Sequence, residues 1–226
     1  MKEFITVAKY IPIYLWFFFK EIFLRVIGRK KEAFKLMIER DSFIPRNTPV
    51  ELLDLSDKKG KISVFDIGCG DGGLLEEVKK RGCLGVGVEL SHLRCKKARK
   101  HGKIYEGDFL EQDIKEKFDV VIASGVLEHM PAPNAALQKI KKLMKKDAVL
   151  VIMVPNDEAW ERRRRANPLE WWKIIAYHGY HMENIDLERA KKLLSDNGFK
   201  IVKINNNYFA NSDEVSLWDI VAEVKQ

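Results

Sequence analysis

One ten-residue stretch restricts the fold of this chain more than any other: Val64-Phe-Asp-Ile-Gly-Cys-Gly-Asp-Gly-Gly73. It reads as a short buried strand running into a glycine-rich turn that opens a helix, Leu74–Arg81, stopped at Gly82. Glycines there let the backbone turn tightly and come close to a ligand. From Ile62 onward, strand and helix patterns then alternate. Strands are expected at Ile62–Ile67, Leu84–Val88, Lys103–Glu106, Phe118–Ala123, Ala148–Val154, Phe199–Ile204 and Val215–Val224. Ser91 is a plausible N-cap for a basic helix running to about Lys100, another helix spans about Asn134–Met144, and Asp186 and Gly198 bracket a helix at Leu187–Leu194. Strand-then-helix repetition predicts an α/β fold, a mostly parallel, doubly wound sheet covered on both faces. A hydrophobic content of 46% with 32% charged residues fits a globular chain of one such domain.

Acidic side chains distinguish this glycine turn from others of its kind. A dinucleotide would rest its pyrophosphate on the helix N-terminus, yet Asp66 precedes the turn and Asp71 lies within it. A nucleoside carrying a sulfonium and an ammonium, with no phosphate, suits such a turn better. Glu89 ends the second strand, where a carboxylate can accept from both ribose hydroxyls. Asp108 follows the third strand in Glu106-Gly-Asp-Phe109, placed to accept an adenine amino group with Phe109 flanking the ring. Ligands of such sheets bind at the carboxyl ends of the strands, near the point where strand order reverses.

Residues 62–154 resemble the class I S-adenosylmethionine-dependent methyltransferases, most closely the small-molecule group typified by ubiquinone/menaquinone-biosynthesis methyltransferases. The matching pieces are Asp66-Ile-Gly-Cys-Gly-Asp-Gly-Gly73, Gly87-Val-Glu-Leu-Ser91, Gly107-Asp-Phe109 and Phe118-Asp-Val-Val-Ile-Ala-Ser-Gly-Val-Leu-Glu-His129, continued by Val154-Pro-Asn156 and Asn197-Gly-Phe-Lys-Ile-Val202. The resemblance implies a Rossmann-like seven-stranded sheet with an antiparallel last strand, Val215–Val224, and S-adenosyl-L-methionine as cofactor. It places the cofactor on Asp66, Gly68, Cys69, Gly70, Asp71, Glu89, Leu90, Asp108, Phe109 and Ser124. Asp66, Gly68 and Gly70 would hold the methionine part, and Ser124 the sulfonium side. Cys69 needs only to be small. Candidates for a general base are Glu128, His129 and His181, with His178 and Tyr180 nearby in the insert before the last helix.

The acceptor is less legible. Residues 1–58 are expected to form an N-terminal helical segment and 59–226 the methyltransferase domain. Tyr10 to Phe19 is apolar throughout, bracketed by Lys9 and Lys20. Ten helical residues span about 15 Å, half of a ~30 Å hydrocarbon core, so the run does not cross a membrane. Two readings stay open: a helix capping the domain or its pocket, or an interfacial helix within residues 4–31 whose aromatics enter lipid beside Lys20, Arg25, Arg29, Lys30 and Lys31. The insert Asn156–Asn184 carries Arg162-Arg-Arg-Arg165, Trp171 and Trp172, which would grip an anionic or lipid-like acceptor, bind RNA, or form a solvated helix face. A net charge of +7 fits any of these. A small or lipophilic acceptor is the preferred reading and RNA the alternative; a nicotinamide oxidoreductase and a non-catalytic cofactor binder rank lower. Three cysteines at spacings matching no zinc site point to a reduced, cytoplasmic setting without a metal, with peripheral membrane contact left open.

Overall fold

The computed structural model describes residues 62–166, 185–209 and 212–225. Residues 1–61, where an N-terminal helical segment is expected, and most of the insert, with His178, Tyr180 and His181, lie outside the described residues. In chain order the elements are β1 (Ser63–Ile67), α1 (Gly73–Lys80), β2 (Leu84–Glu89), α2 (His92–Ala98), β3 (Lys103–Glu106), β4 (Phe118–Ser124), a 3-10 turn (Leu127–His129), α3 (Pro133–Leu143), β5 (Met144–Pro155), α4 (Asp157–Ala166), α5 (Leu187–Asp196), β6 (Phe199–Tyr208) and β7 (Val215–Val224).

Local chemistry sets these boundaries. Gly72 starts α1 at φ 88°, Glu76 sits in the first turn and Lys79 and Lys80 in the last, each charge complementing the helix dipole. Leu74, Leu75 and Val78 face inward. The Ser91 side chain caps α2 by accepting from Arg94 N, and Asp186 caps α5 by accepting from Arg189 N at 2.7 Å. Gly82 and Gly198, at φ 74° and 78°, close their helices in the left-handed region that L side chains avoid.

The seven strands form one sheet in the order β3-β2-β1-β4-β5-β7-β6. β1 pairs in parallel with β2 and β4, and β4 with β5, whereas β7 runs antiparallel to both β5 and β6 between which it lies. The antiparallel last strand implied by the resemblance is therefore present. Strand order reverses between β1 and β4, which opens a crevice at their carboxyl ends.

Central strands are apolar on both faces because helices cover both. Phe65 of β1 stacks on Phe118 at 4.8 Å and meets Phe109 at 6.2 Å. Leu137, Ile140, Leu150, Ile152 and Phe199 complete the larger core. At the opposite edge from the crevice, Asp119 Oδ2 accepts from the Ser63 hydroxyl at 2.7 Å and from Lys145 at 2.8 Å, tying β1, β4 and β5 together.

Two boundaries moved. β5 begins at Met144, not Ala148, since Met144 pairs with Phe118 across a register shift and Asp147 takes φ 62°. β6 runs on to Tyr208 because the polar Asn205–Asn207 segment pairs with β7. Among the described residues no helix is long and apolar enough to cross a membrane.

Candidate cofactor site at the carboxyl edge of the sheet

The first turn after β1 is built by backbone hydrogen bonds. Gly68 N and Cys69 N both donate to Val88 O, at 2.8 and 3.1 Å, so the turn is folded over the end of β2. Gly68, Gly70 and Gly72 all have positive φ. At Gly68 a Cβ would stand 2.7 Å from Val126 Cγ2, so only glycine lets the loops after β1 and β4 meet. Gly87, inside β2, is equally constrained, because a Cβ there would lie 2.6 Å from the Cys69 sulfur. The sulfur points into the fold, where burial pushes the thiol pKa far above its ordinary value. Cys69 is thus a packing residue whose backbone N–H helps fold the turn.

Glu89 is buried and already oriented. Its two carboxylate oxygens accept from Gly70 N at 2.9 Å and Ser91 N at 2.8 Å. Each oxygen has a second lone pair with which to meet a ligand hydroxyl. Asp66, 4% exposed, sits at the end of β1 on the neighbouring strand. Burial first, and then the charge of Glu89, raises its pKa to about 8. A protein with nothing bound thus keeps a proton on Asp66 at neutral pH, and a cation entering the crevice would stabilise the ionised form.

Asp108 lies beyond β3, where Gly107 N donates to Glu89 O and so joins the loops after β2 and β3. Asp108 Oδ1 accepts from Leu110 N at 2.9 Å, an Asx turn that fixes the carboxylate. Ser124 ends β4, half-buried, with its hydroxyl 3.8 Å from the Met153 sulfur. Leu90, also half-buried, bridges Glu89 and Ser91. The turns after β1, β2, β3 and β4 thus bring Asp66, Gly68, Gly70, Glu89, Asp108 and Ser124 to one edge.

Two expectations need correction. Asp71 does not add to the charge of the crevice: its side chain is exposed and ion-paired with Lys97 at 2.9 Å, on the outer side of α2. Phe109 does not offer its ring to an adenine; it is 4% exposed, packed against Phe65 in the core, with the Lys139 ammonium 4.9 Å from its centroid. Burial of the ring is the better use of an aromatic at a point where the loop crosses the sheet edge.

Of the base candidates, Glu128 is buried in the 3-10 turn, with Oε1 3.6 Å from where a Gly125 Cβ would sit. His129, one residue on, is half-buried. Part of the basic run is engaged in ion pairs within the chain. Arg162 and Arg163 both bind Glu214, at 2.9 and 3.0 Å, and Arg163 lies 4.0 Å over the Phe209 ring, which Trp160 meets edge-on. Among the described residues no cluster of His, Cys, Asp or Glu is placed to hold a metal ion.

The buried acids and left-handed glycines fit a cationic nucleoside, and the comparisons with known proteins agree. The family described as "Methyltransferase domain" matches residues 40–204, well over half of the chain. The ubiquinone biosynthesis O-methyltransferase of Glaesserella parasuis is 33% identical over 127 residues, covering 49% of this chain and 54% of that protein. The enzyme of the same name from Histophilus somni is 32% identical over 121 residues, 47% and 49% of the two chains. The chain thus spans about half the length of these curated relatives. Among solved structures, a magnesium protoporphyrin IX methyltransferase from Synechocystis, with S-adenosylhomocysteine bound, superposes with a TM-score of 0.58 at 20% identity over 78% of this chain and 80% of that one. A TehB-like methyltransferase from Corynebacterium glutamicum gives 0.58 at 16% identity over 78% and 86%. Sheet order, glycine turn and family match lead to one conclusion: the chain belongs to the methyltransferase-domain family, in its class I, S-adenosylmethionine-dependent form.

Proposed function

We propose that this protein transfers the methyl group of S-adenosylmethionine to a small or lipophilic acceptor, with oxygen as the receiving atom. The reading is carried above all by the two buried carboxylates, Asp66 and Glu89, flanking left-handed glycines at the strand-reversal crevice. Bound there, S-adenosylmethionine supplies an electrophilic methyl on a positively charged sulfur. Glu89, held by Gly70 N and Ser91 N, would receive the ribose hydroxyls. Asp66, with Gly68 and Gly70, would take the cationic methionine end, Asp108 the adenine amino group, and Ser124 would line the sulfonium side. The chain's remaining task is to hold the acceptor in line at about 3–3.5 Å and keep water out.

Oxygen is favoured because the curated relatives are O-methyltransferases. A hydroxyl acceptor must lose its proton, and among the described base candidates we favour His129, half-buried after β4, because Glu128 is 3% exposed. His181 keeps its candidacy from the sequence alone. An RNA acceptor gains less from Arg162 and Arg163 than the sequence suggests, since Glu214 offsets one of their two charges. For residues 4–31 we propose contact with a membrane surface or a capping role over the acceptor. The domain division at residue 58 is likewise part of this reading.

Transfer of labelled methyl to a panel of phenols and catechols, with and without prenyl tails, tests it. The prediction is label in at least one phenolic oxygen and less of it in the His129→Ala protein. Label that enters only RNA, or no acceptor on the panel, would overturn the reading. Retention on anionic liposomes, compared with a variant lacking residues 1–27, separates membrane contact from capping.

A further inference from the structure

The loop after β3, residues 107–113, has no regular structure, yet it carries Asp108. Such a segment leaves its carbonyls without ladder partners, and they must be met in another way. One side chain meets three of them. Lys139 Nζ, from the middle of α3, donates to Phe109 O at 2.5 Å, Leu110 O at 3.1 Å and Gln112 O at 2.5 Å. The same ammonium lies 4.9 Å from the Phe109 ring centroid. Gln112 ties the loop back by donating to Glu106 O at 3.3 Å, and Gly107, at φ 129°, makes the bend. A lysine is the side chain suited to this place, because its three N–H bonds diverge from one atom, whereas an arginine fork is planar. The lysine stem is itself anchored: α3 is joined to α5 where Asn197 donates to Asn134 Oδ1 and accepts from Gln138 Nε2. Burial lowers the Lys139 pKa, which marks a cation drawn partly out of water, with Asp108 and Asp113 acting to restore it.

We propose that Lys139 is a positioning residue for the nucleoside end of the cofactor site: by gathering the carbonyls of Phe109, Leu110 and Gln112 it fixes the Asx turn that aims Asp108 at the adenine amino group. The inference rests on the assignment of Asp108 to adenine made above. It predicts that Lys139 contributes to cofactor affinity without touching the cofactor, and does so only through Asp108.

The test is a double-mutant cycle on S-adenosylhomocysteine binding by calorimetry, using the full chain with Lys139→Met, Asp108→Ala and both together. The inosine analogue, in which oxygen replaces the amino group, serves as the second ligand. Lys139→Met is expected to weaken S-adenosylhomocysteine by about tenfold, one positioned hydrogen bond, with the inosine analogue changed less than about twofold. In the Asp108→Ala background the same change should add under about twofold. Lys139→Arg should recover only part of the loss. Equal weakening of both ligands, or losses that multiply in the double variant, would show a general structural role and sink the proposal. If instead Asp108→Ala alone binds like the unaltered protein, the adenine assignment has failed, and the cycle reports that separately. Thermal midpoints measured on all variants check that each is folded.

Discussion

Asp66 should be a residue that costs stability and confers binding. Its pKa stands at about 8 in the folded protein against an ordinary 3.8. Between those values the folded chain holds a proton that the unfolded chain has released, so unfolding free energy falls as pH rises. At 1.36 kcal/mol per unit the loss reaches about 4 kcal/mol at pH 7 and about 5 kcal/mol by pH 8, relative to a side chain that never ionises. Asp66→Asn removes the titration while keeping size and shape. The variant should therefore melt higher than the unaltered protein at pH 7 to 8 and lose that advantage towards pH 4. With roughly 2–4 °C per kcal/mol for a chain of this size, the ceiling on the gain at pH 7 is about 8–16 °C. The same substitution should weaken S-adenosylmethionine at least tenfold, since an amide cannot balance a cation. In the unaltered protein, binding should release close to 0.9 proton at pH 7, the fraction held by a group of pKa 8, with affinity rising about ninefold from pH 6 to 7 and levelling above 8. Calorimetry in buffers of different ionisation enthalpy reads the proton, and scanning calorimetry the midpoints. If the two proteins melt together at every pH from 5 to 8, or no proton is released, the electrostatic reasoning is refuted.

Other outcomes follow from the same geometry. Gly68→Ala, at φ 70° and 2.7 Å from Val126, should cost about 1–3 kcal/mol and abolish cofactor binding, with Val126→Ala in the same chain returning part of the stability but not the strained turn. Asp119→Asn acts at the far edge: its carboxyl sits at about 2, held down by Lys145 and Ser63 against the opposing effect of burial. A depressed acid stabilises above its ordinary pKa and loses this as pH falls through the folded value, so the substitution should cost about 2 kcal/mol at pH 7, little at pH 2, and leave kcat unchanged. Arg163→Ala, which removes a bond to Glu214 and the contact with Phe209, should lower the thermal midpoint modestly while leaving S-adenosylmethionine affinity within about twofold.

Much of this architecture could be read before any coordinates, and the reasons are physical. Buried parallel strands are continuous apolar runs, so β1, β4 and β5 announced themselves, and Ser91, Asp186, Gly82 and Gly198 marked helix ends through their caps. The glycine turn was legible because left-handed backbone and close approach leave few substitutes for Gly68 and Gly70. What sequence could not supply was the direction of side chains. Asp71 and Asp66 look alike on paper, yet one meets Lys97 in solvent and the other is buried beside Glu89. Phe109 sits next to the adenine-side acid but turns into the core. Lys139 was hidden altogether, one lysine among several on a helix whose polar face reads as solvated, since its partners are carbonyls some 30 residues away. The Arg162–Glu214 and Arg163–Glu214 pairs span about 50 residues and were invisible for the same cause.

Buried Glu89, joined by Asp66 as it ionises against an entering cation, should select a cationic nucleoside over a phosphate-bearing one. Titration of the full chain with S-adenosylmethionine and with NAD, repeated on Glu89→Ala, measures this selection most directly. The account predicts saturable binding of the first ligand, none of the second, and a loss of at least tenfold in the variant. Binding of NAD that S-adenosylmethionine displaces, or an unchanged affinity in Glu89→Ala, would contradict it.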